Sequence, residues 1–264
     1  MDYSAEFAFA VEVAKEGGER ALRGFGTALA PERKSDGTWV TEVDKAVETL
    51  IRRRIADAYP NHNILGEEEG LTCAGGGQPI DGAPTWIVDP IDGTNNFMSG
   101  IPIWATLVAL RVDDESVLGV VHAARLGETY EAVVGGGARC NGEPIEVSPT
   151  DELADAAVLF ASVQSFPENG LQEFFAQLTE RTWRSRGFGD FWGHMLVARG
   201  AAHIMIEPKL SLWDVAALEP IVSEAGGKLT TLDGAPFTHG SSALTTNAAL
   251  HEKVLSLAKE FPPS

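Results

Sequence analysis

Basic residues are scarce in this chain: 20 Lys and Arg stand against 38 Asp and Glu, for a formal charge of −18. A surface of that sign repels phosphate backbones and anionic lipid, so nucleic acid and membranes are excluded as partners. Cysteine is scarcer, with only Cys73 and Cys140. Two thiols build no disulfide framework, their spacing fits no zinc site, and they suit a reducing cytoplasm. The amino terminus lacks the basic region of a secretory leader. The longest apolar run, residues 101–110, is too short to span a bilayer. Six histidines form no His-x-x-x-His pair and are expected singly, at surfaces and strand ends. There is no Gly-x-Ser-x-Gly elbow and no Gly-x-Gly-x-x-Gly, so serine-hydrolase and dinucleotide chemistry have no support.

Core material is not lacking. Apolar residues make up 44% of 264, enough for one large domain or two modest ones. Phe7, Val11, Ala14, Ala21, Leu22 and Phe25 recur at helical spacing and predict a long first helix. Val43, Val47, Leu50, Ile51 and Ile55 predict a second, opened by Thr41 and Asp44 as a capping box. Trp86-Ile87-Val88 reads as a buried strand ended by Asp89-Pro90. Runs at 105–112, 117–123 and 129–134 predict an antiparallel meander, and Asn141-Gly142 a hairpin over 138–147. Residues 74–82, with three consecutive glycines, read as a mobile surface loop. The polar stretch 148–151 divides the chain into halves 1–148 and 149–264. Beyond it, strands at 157–161, 203–206, 228–232 and 243–246 alternate with helices at 170–180, 190–199, 215–225 and 248–259, which predicts a layered α/β arrangement.

Three segments set carboxylates at the edge of apolar elements: Gly66-Glu67-Glu68-Glu69, Asp89-Pro90-Ile91-Asp92-Gly93-Thr94 and Trp213-Asp214-Val215-Ala216-Ala217. Such a carboxylate is costly to bury unless it is paired or bound to metal. Pro90 is expected to force a turn that lets Asp89, Asp92 and the Ile91 carbonyl face one point. These are hard oxygen donors, suited to Mg2+ or Mn2+. Gly93 lets backbone approach a ligand, Thr94 offers a hydroxyl, and a helix opening there would present free N–H groups to phosphate. Singly, each has an ordinary explanation. Glu67 to Glu69 could be a solvated acidic run, and Asp44 and Asp214 helix-start residues. Their conjunction points to phosphoryl chemistry. It rests on four carboxylates with no basic cluster beside them in the sequence.

With Thr41-Glu42-Val43-Asp44, the stretch from Trp86 through Phe97, and Glu224-Ala225-Gly226-Gly227, these segments resemble the inositol monophosphatase-like superfamily of metal-dependent phosphatases over nearly the whole chain. The resemblance implies an α/β (α+β) fold, a layered αβαβα sandwich with the site between the halves, in a homodimer. It implies Glu67, Asp89, the Ile91 carbonyl, Asp92 and Asp214 as ligands of two or three Mg2+ ions, or of Mn2+. It assigns Gly93 and Thr94 to phosphate, and Asp44 with Thr94 to the attacking water, Glu67 joining them among the catalytic groups. A small phosphorylated metabolite would then be hydrolysed without a covalent intermediate. Pro220 departs from the pattern: it lies inside the helix that Asp214 should open, removes a backbone bond to Ala216, and should kink that helix or loosen its first turn.

Other segments narrow the resemblance. Trp104-Ala105-Thr106-Leu107, Arg186-Gly187-Phe188-Gly189-Asp190-Phe191, Glu207-Pro208 and Ser211-Leu212-Trp213-Asp214 look like the histidinol-phosphate phosphatase branch, as does the distance from Lys34 to Asp44. Histidinol phosphate is then the implied substrate, faced by Asp92, Asp190, Glu207 and Asp214. Asp190 also has an ordinary explanation as a helix cap. The rival substrates are inositol monophosphate and fructose 1,6-bisphosphate. From another class, a non-catalytic ligand-binding member of the fold should have lost a metal carboxylate or Thr94, and none is missing.

Overall fold

The computed structural model describes residues 2–27, 30–34 and 37–263. The chain opens with α1 (Ser4–Leu22), a small hairpin of β1 (Glu32–Arg33) and β2 (Trp39–Val40), and α2 (Glu42–Ala58). An eight-stranded sheet follows: β3 (Asn63–Gly66), β4 (Gly70–Cys73), β5 (Thr85–Asp92), β6 (Ala105–Val112), β7 (Glu115–Ala123), β8 (Glu128–Val133), β9 (Ala138–Cys140) and β10 (Glu143–Pro144). A short α3 (Thr94–Met98) interrupts it after β5. The strand order is β10-β9-β8-β7-β6-β5-β3-β4, antiparallel throughout except for β3 beside β5. The remainder builds β11 (Ala157–Phe160), α4 (Ser165–Glu168), α5 (Gln172–Glu180), β12 (Arg184–Arg186), α6 (Asp190–Ala198) and β13 (Ile204–Glu207). It closes with α7 (Leu212–Val215), α8 (Leu218–Glu224), β14 (Gly227–Thr230), β15 (Ala243–Asn247) and α9 (Ala248–Glu260). Its five strands form a second, mixed sheet in the order β12-β11-β13-β15-β14.

The layers follow from side-chain alternation. On β6, Val108 and Leu110 join a core with α1 and α2, while Leu107 and Ala109 join one with α6 and α8. On β13, Ile204 and Ile206 pack toward α5 and α9, and Met205 toward α6. Both sheets are therefore buried on both faces, which is why their central strands read as unbroken apolar runs. The result is the αβαβα sandwich.

Several local expectations need correction. β5 does not end at Asp89-Pro90. It runs on to Asp92 with an irregularity in its pairing, Asp89 opposite Leu107 but Asp92 opposite Ala105. Such a bulge tolerates a proline, which has no N–H for the ladder. The reversal comes at Gly93, whose φ of 85° suits glycine. The helix expected over 215–225 is two helices. α7 ends at Val215, and Pro220 is the third residue of α8, where a backbone N–H has no intrahelical partner to lose. The break at residues 216–217 falls where Pro220, four residues on, has no N–H for the Ala216 carbonyl, so the interruption expected of this proline is present as a division into two helices. Residues 75–82 are exposed but pinned, since Asn63 Nδ2 donates to the Ile80 carbonyl and Ile80 N to Asn63 Oδ1, both at 2.8 Å. The histidines are not all superficial: His122, His194 and His251 are buried. β1, β2, β3, β4 and β12 escape the sequence because two to four residues display no period.

Candidate active site

One cleft of about 390 Å³ opens between the ends of β5 and β13, the first residues of α6, and α7. Glu67, Asp89, Ile91, Asp92, Gly93, Thr94, Asp190, Glu207 and Asp214 all line it. Asp44 stands behind its wall. The Asp44 Oδ2 accepts the Thr41 amide at 2.9 Å, completing the capping box of α2. Its Oδ1 lies 3.3 Å from the Thr94 hydroxyl, which also donates to the Ile91 carbonyl at 2.9 Å. The cap and the Thr94 contact thus use different oxygens of one carboxylate.

Backbone amides aim the other carboxylates. Asp89 Oδ1 accepts Ile91 N at 3.0 Å, Asp214 Oδ2 accepts Ser211 N at 2.7 Å, and Asp92 Oδ2 accepts Phe191 N at 2.7 Å. The last bond fastens the β5 bulge to the start of α6. Asp190 is the first residue of α6, behind Gly189 as N-cap, and sets its charge in the first turn of that helix. It holds a φ of 55°, and its Oδ2 accepts Asn96 Nδ2 at 3.0 Å.

Burial dominates the electrostatics. It pushes Asp89 and Asp92 well above the usual carboxylate range, with neighbouring carboxylates adding to the shift. The same cause raises Asp190 and Asp214 to about 7 and Glu207 to about 8. Lys34, on the hairpin of β1 and β2, meets part of this charge, its Nζ 2.8 Å from Glu67 Oε1 and 2.7 Å from Glu68 Oε1. Lys34 thus qualifies the expectation of four carboxylates without a basic neighbour.

Sequence reasoning missed three supports. Glu48 is fully buried on α2 and accepts Glu68 N, Glu69 N and Arg52 Nε at 2.8, 3.0 and 2.7 Å, fixing the turn that carries Glu67. Its signal was a charge one residue beyond Val47 in an apolar stripe. Asn96 and His194, the other two, carried none. The chemistry of the donor set fits a hard divalent cation: clustered, buried oxygens whose negative charge exceeds what Lys34 supplies. Among the described residues, no three acidic, thiol or imidazole side chains already stand as a closed metal-binding group. Amide bonds hold Asp89, Asp92 and Asp214, and Lys34 holds Glu67.

The family model described as the inositol monophosphatase family matches residues 2–262. The histidinol-phosphatase of Mycobacterium tuberculosis is 42% identical over 233 residues, 86% of this chain and 87% of that one. Inositol monophosphatase 2 of Solanum lycopersicum is 32% identical over 257 residues, 95% of this chain and 97% of that one. The solved IMPase of Thermotoga maritima is 30% identical and superposes with a TM-score of 0.85, covering 97% of this chain and 98% of that one. With fold and sequence in agreement along nearly its whole length, the chain belongs to the inositol monophosphatase family and is a phosphatase.

Proposed function

We propose that the chain is a Mg2+-dependent phosphate monoester hydrolase acting on histidinol phosphate, with Glu67, Asp89, Asp92, Asp214 and the Ile91 carbonyl as metal ligands. The observation that carries the substrate is the pair Asp190 and Glu207. Both line the cleft, and among the described residues neither has a Lys or Arg partner. Buried carboxylates of this kind favour a ligand that brings its own cations. Histidinol phosphate has an ammonium and an ionisable imidazole, which such groups bind by charge-assisted hydrogen bonds. A neutral polyol cannot replace the hydration these carboxylates have lost. The 42% identity to a histidinol-phosphatase supports the same choice.

A divalent cation held here would lower the pKa of water and neutralise charge on the phosphoryl group. The chain's own groups orient the reactants. Thr94 has one hydroxyl proton and two acceptors, the Ile91 carbonyl and Asp44. Once that carbonyl serves as a ligand, the proton goes to Asp44, and the Thr94 oxygen is left to accept a hydrogen bond from the attacking water. Burial raises the proton affinity of Asp44, which strengthens it as the base behind Thr94. The turn at Gly93 and Thr94 receives the phosphoryl oxygens, and the leaving group lies against Asp190 and Glu207.

The test is phosphate release from histidinol phosphate and from inositol 1-phosphate, with and without chelator. Turnover should vanish in chelator and return with Mg2+, and kcat/KM should favour histidinol phosphate by more than about tenfold, as expected for charge-assisted bonds. Full activity in excess chelator would sink the metal, and equal or better use of inositol 1-phosphate would sink the substrate. The same reading carries a cytoplasmic homodimer. It is supported by Val163, Trp183 and Phe188, which are exposed around β12, a strand at the edge of its sheet.

A further inference from the structure

His194 lies on α6, four residues beyond Asp190, and is completely buried. Its Nε2 is 3.1 Å from Glu207 Oε2, and its Nδ1 is 2.7 Å from Thr245 Oγ1. The two partners come from adjacent strands. Met205 pairs with Thr245 and Glu207 with Ala243, so Glu207 and Thr245 project from one face of the sheet, diagonally opposed. α6 can reach over them because of Gly193. A Cβ there would stand 2.4 Å from the sulfur of Met205 and 2.4 Å from the Phe188 carbonyl. Thr245 is itself fully buried.

We propose that Thr245 and His194 form a positioning relay: the threonine hydroxyl donates to Nδ1, fixing the Nε2–H tautomer, and Nε2–H donates to Glu207, which is thereby held as an acceptor for a cationic nitrogen of the leaving group. Burial keeps the ring neutral, lowering its pKa to about 3, so it has a single N–H to direct. The opposite tautomer would need a proton on Glu207 and would leave that residue with no charge to offer an ammonium. One Glu207 oxygen is engaged by the ring, and the other is left for the substrate. This inference rests on the reading of the cleft as one for a cation-bearing phosphate ester.

The experiment uses the full chain with Mg2+. Thr245→Val removes the hydroxyl at nearly constant volume, and Thr245→Ser restores it. Thr245→Val should lower kcat/KM for histidinol phosphate about tenfold, mainly through KM, as for a lost hydrogen bond to a charged group. The loss with glycerol 2-phosphate, a neutral-backbone ester, should be several-fold smaller, and Thr245→Ser should recover most of the difference. Equal losses on both esters would reduce Thr245 to a packing residue and overturn the relay. Nitrogen-15 NMR of the parent needs no variant. Above pH 8, where Glu207 has lost the proton that burial lets it keep, an Nε2–H tautomer at His194 is expected, and an Nδ1–H tautomer there overturns the relay. A parent that prefers the neutral ester overturns the substrate reading instead, and the tautomer then decides the relay alone.

Discussion

Asp44 does two things with one carboxylate, and substitutions can separate them. Asp44→Asn keeps an acceptor for the Thr41 amide but loses the negative charge behind Thr94. It should leave the melting temperature nearly in place while kcat falls roughly a hundredfold or more, the scale of a lost general base. Thr41→Ala should do the reverse, costing about 1 kcal/mol of stability as a lost cap does, with little change in kcat. Thermal melts beside steady-state kinetics decide this, and a normal kcat in Asp44→Asn would return that residue to capping alone. Asp190 presents a different trade. A non-glycine residue at positive φ costs roughly 1 kcal/mol, and here it also sets a buried carboxylate beside Glu207. Asn tolerates that backbone, so Asp190→Asn should raise the melting temperature of the metal-free protein by about 2–4 °C. The preference for histidinol phosphate should shrink in the same variant. Unchanged preference would remove Asp190 from substrate recognition.

At the scale of elements, the decisive junction is where α7 gives way to α8 over β7. A Cβ on Gly119 would lie 2.1 Å from the Ala217 carbonyl and 2.8 Å from Pro220 Cγ. Gly119→Ala should therefore cost roughly 2 kcal/mol or more, as overpacking does. Pro220→Ala should cost less than about 1 kcal/mol, chiefly through a freer unfolded chain. Denaturant titration of both variants checks the pair, and the opposite ranking would contradict the junction. Reading helices from the 3.6-residue pattern located α1, α2 and α9 well, because each has an apolar face over several turns, and α6 was found although it is buried nearly all round. The same pattern ran straight through the break between α7 and α8. Pro220 marked the fault in that pattern, but not that the chain restarts as a second helix packed on β7. At β5 the proline was legible, but its consequence depended on the partner strand. A bulge is a property of two strands, and β6 supplies the other half.

The whole molecule gathers six of its acidic residues, Glu67, Asp89, Asp92, Asp190, Glu207 and Asp214, around one cleft, which makes stability depend on pH. Asp190 and Asp214 are raised to about 7 and Glu207 to about 8. In the unfolded chain such groups ionise near pH 4. Between those limits the folded protein holds protons that the unfolded chain has released, so stability falls as pH rises. The metal-free protein should melt highest near pH 5 and progressively lower toward pH 8. Mg2+ should raise the melting temperature more at pH 8 than at pH 5, since a ligand that binds only the folded state stabilises it. Melting curves across that range, with and without Mg2+, test this, and a metal-free melting temperature that climbs with pH would contradict it. For the homodimer, Trp183→Glu places a charge at the exposed edge of β12 and should shift sedimentation toward monomer with the helical content preserved. A monomeric parent would end that part of the reading.

Segments whose meaning is local were legible from the residues alone. The capping box lies within Thr41 to Asp44, and Asp89 to Thr94 is one continuous stretch, so spacing and side-chain chemistry were enough to name them. Glu67, Asp89, Asp92 and Asp214 stood out in the same way, whereas the roles of Asp44, Asp190 and Glu207 came from the resemblance to known phosphatases. What tertiary structure decided is which of these segments meet. Asp92 takes the amide of Phe191 from 99 residues away, Lys34 reaches Glu67 across 33, and His194 reaches Thr245 across 51. Such contacts arise when layers close on one another, and no periodicity within a segment encodes them. The buried state of His194 was illegible for the same reason. A single imidazole in a helix has no pattern of its own, and only the two strands beneath it give its nitrogens their partners.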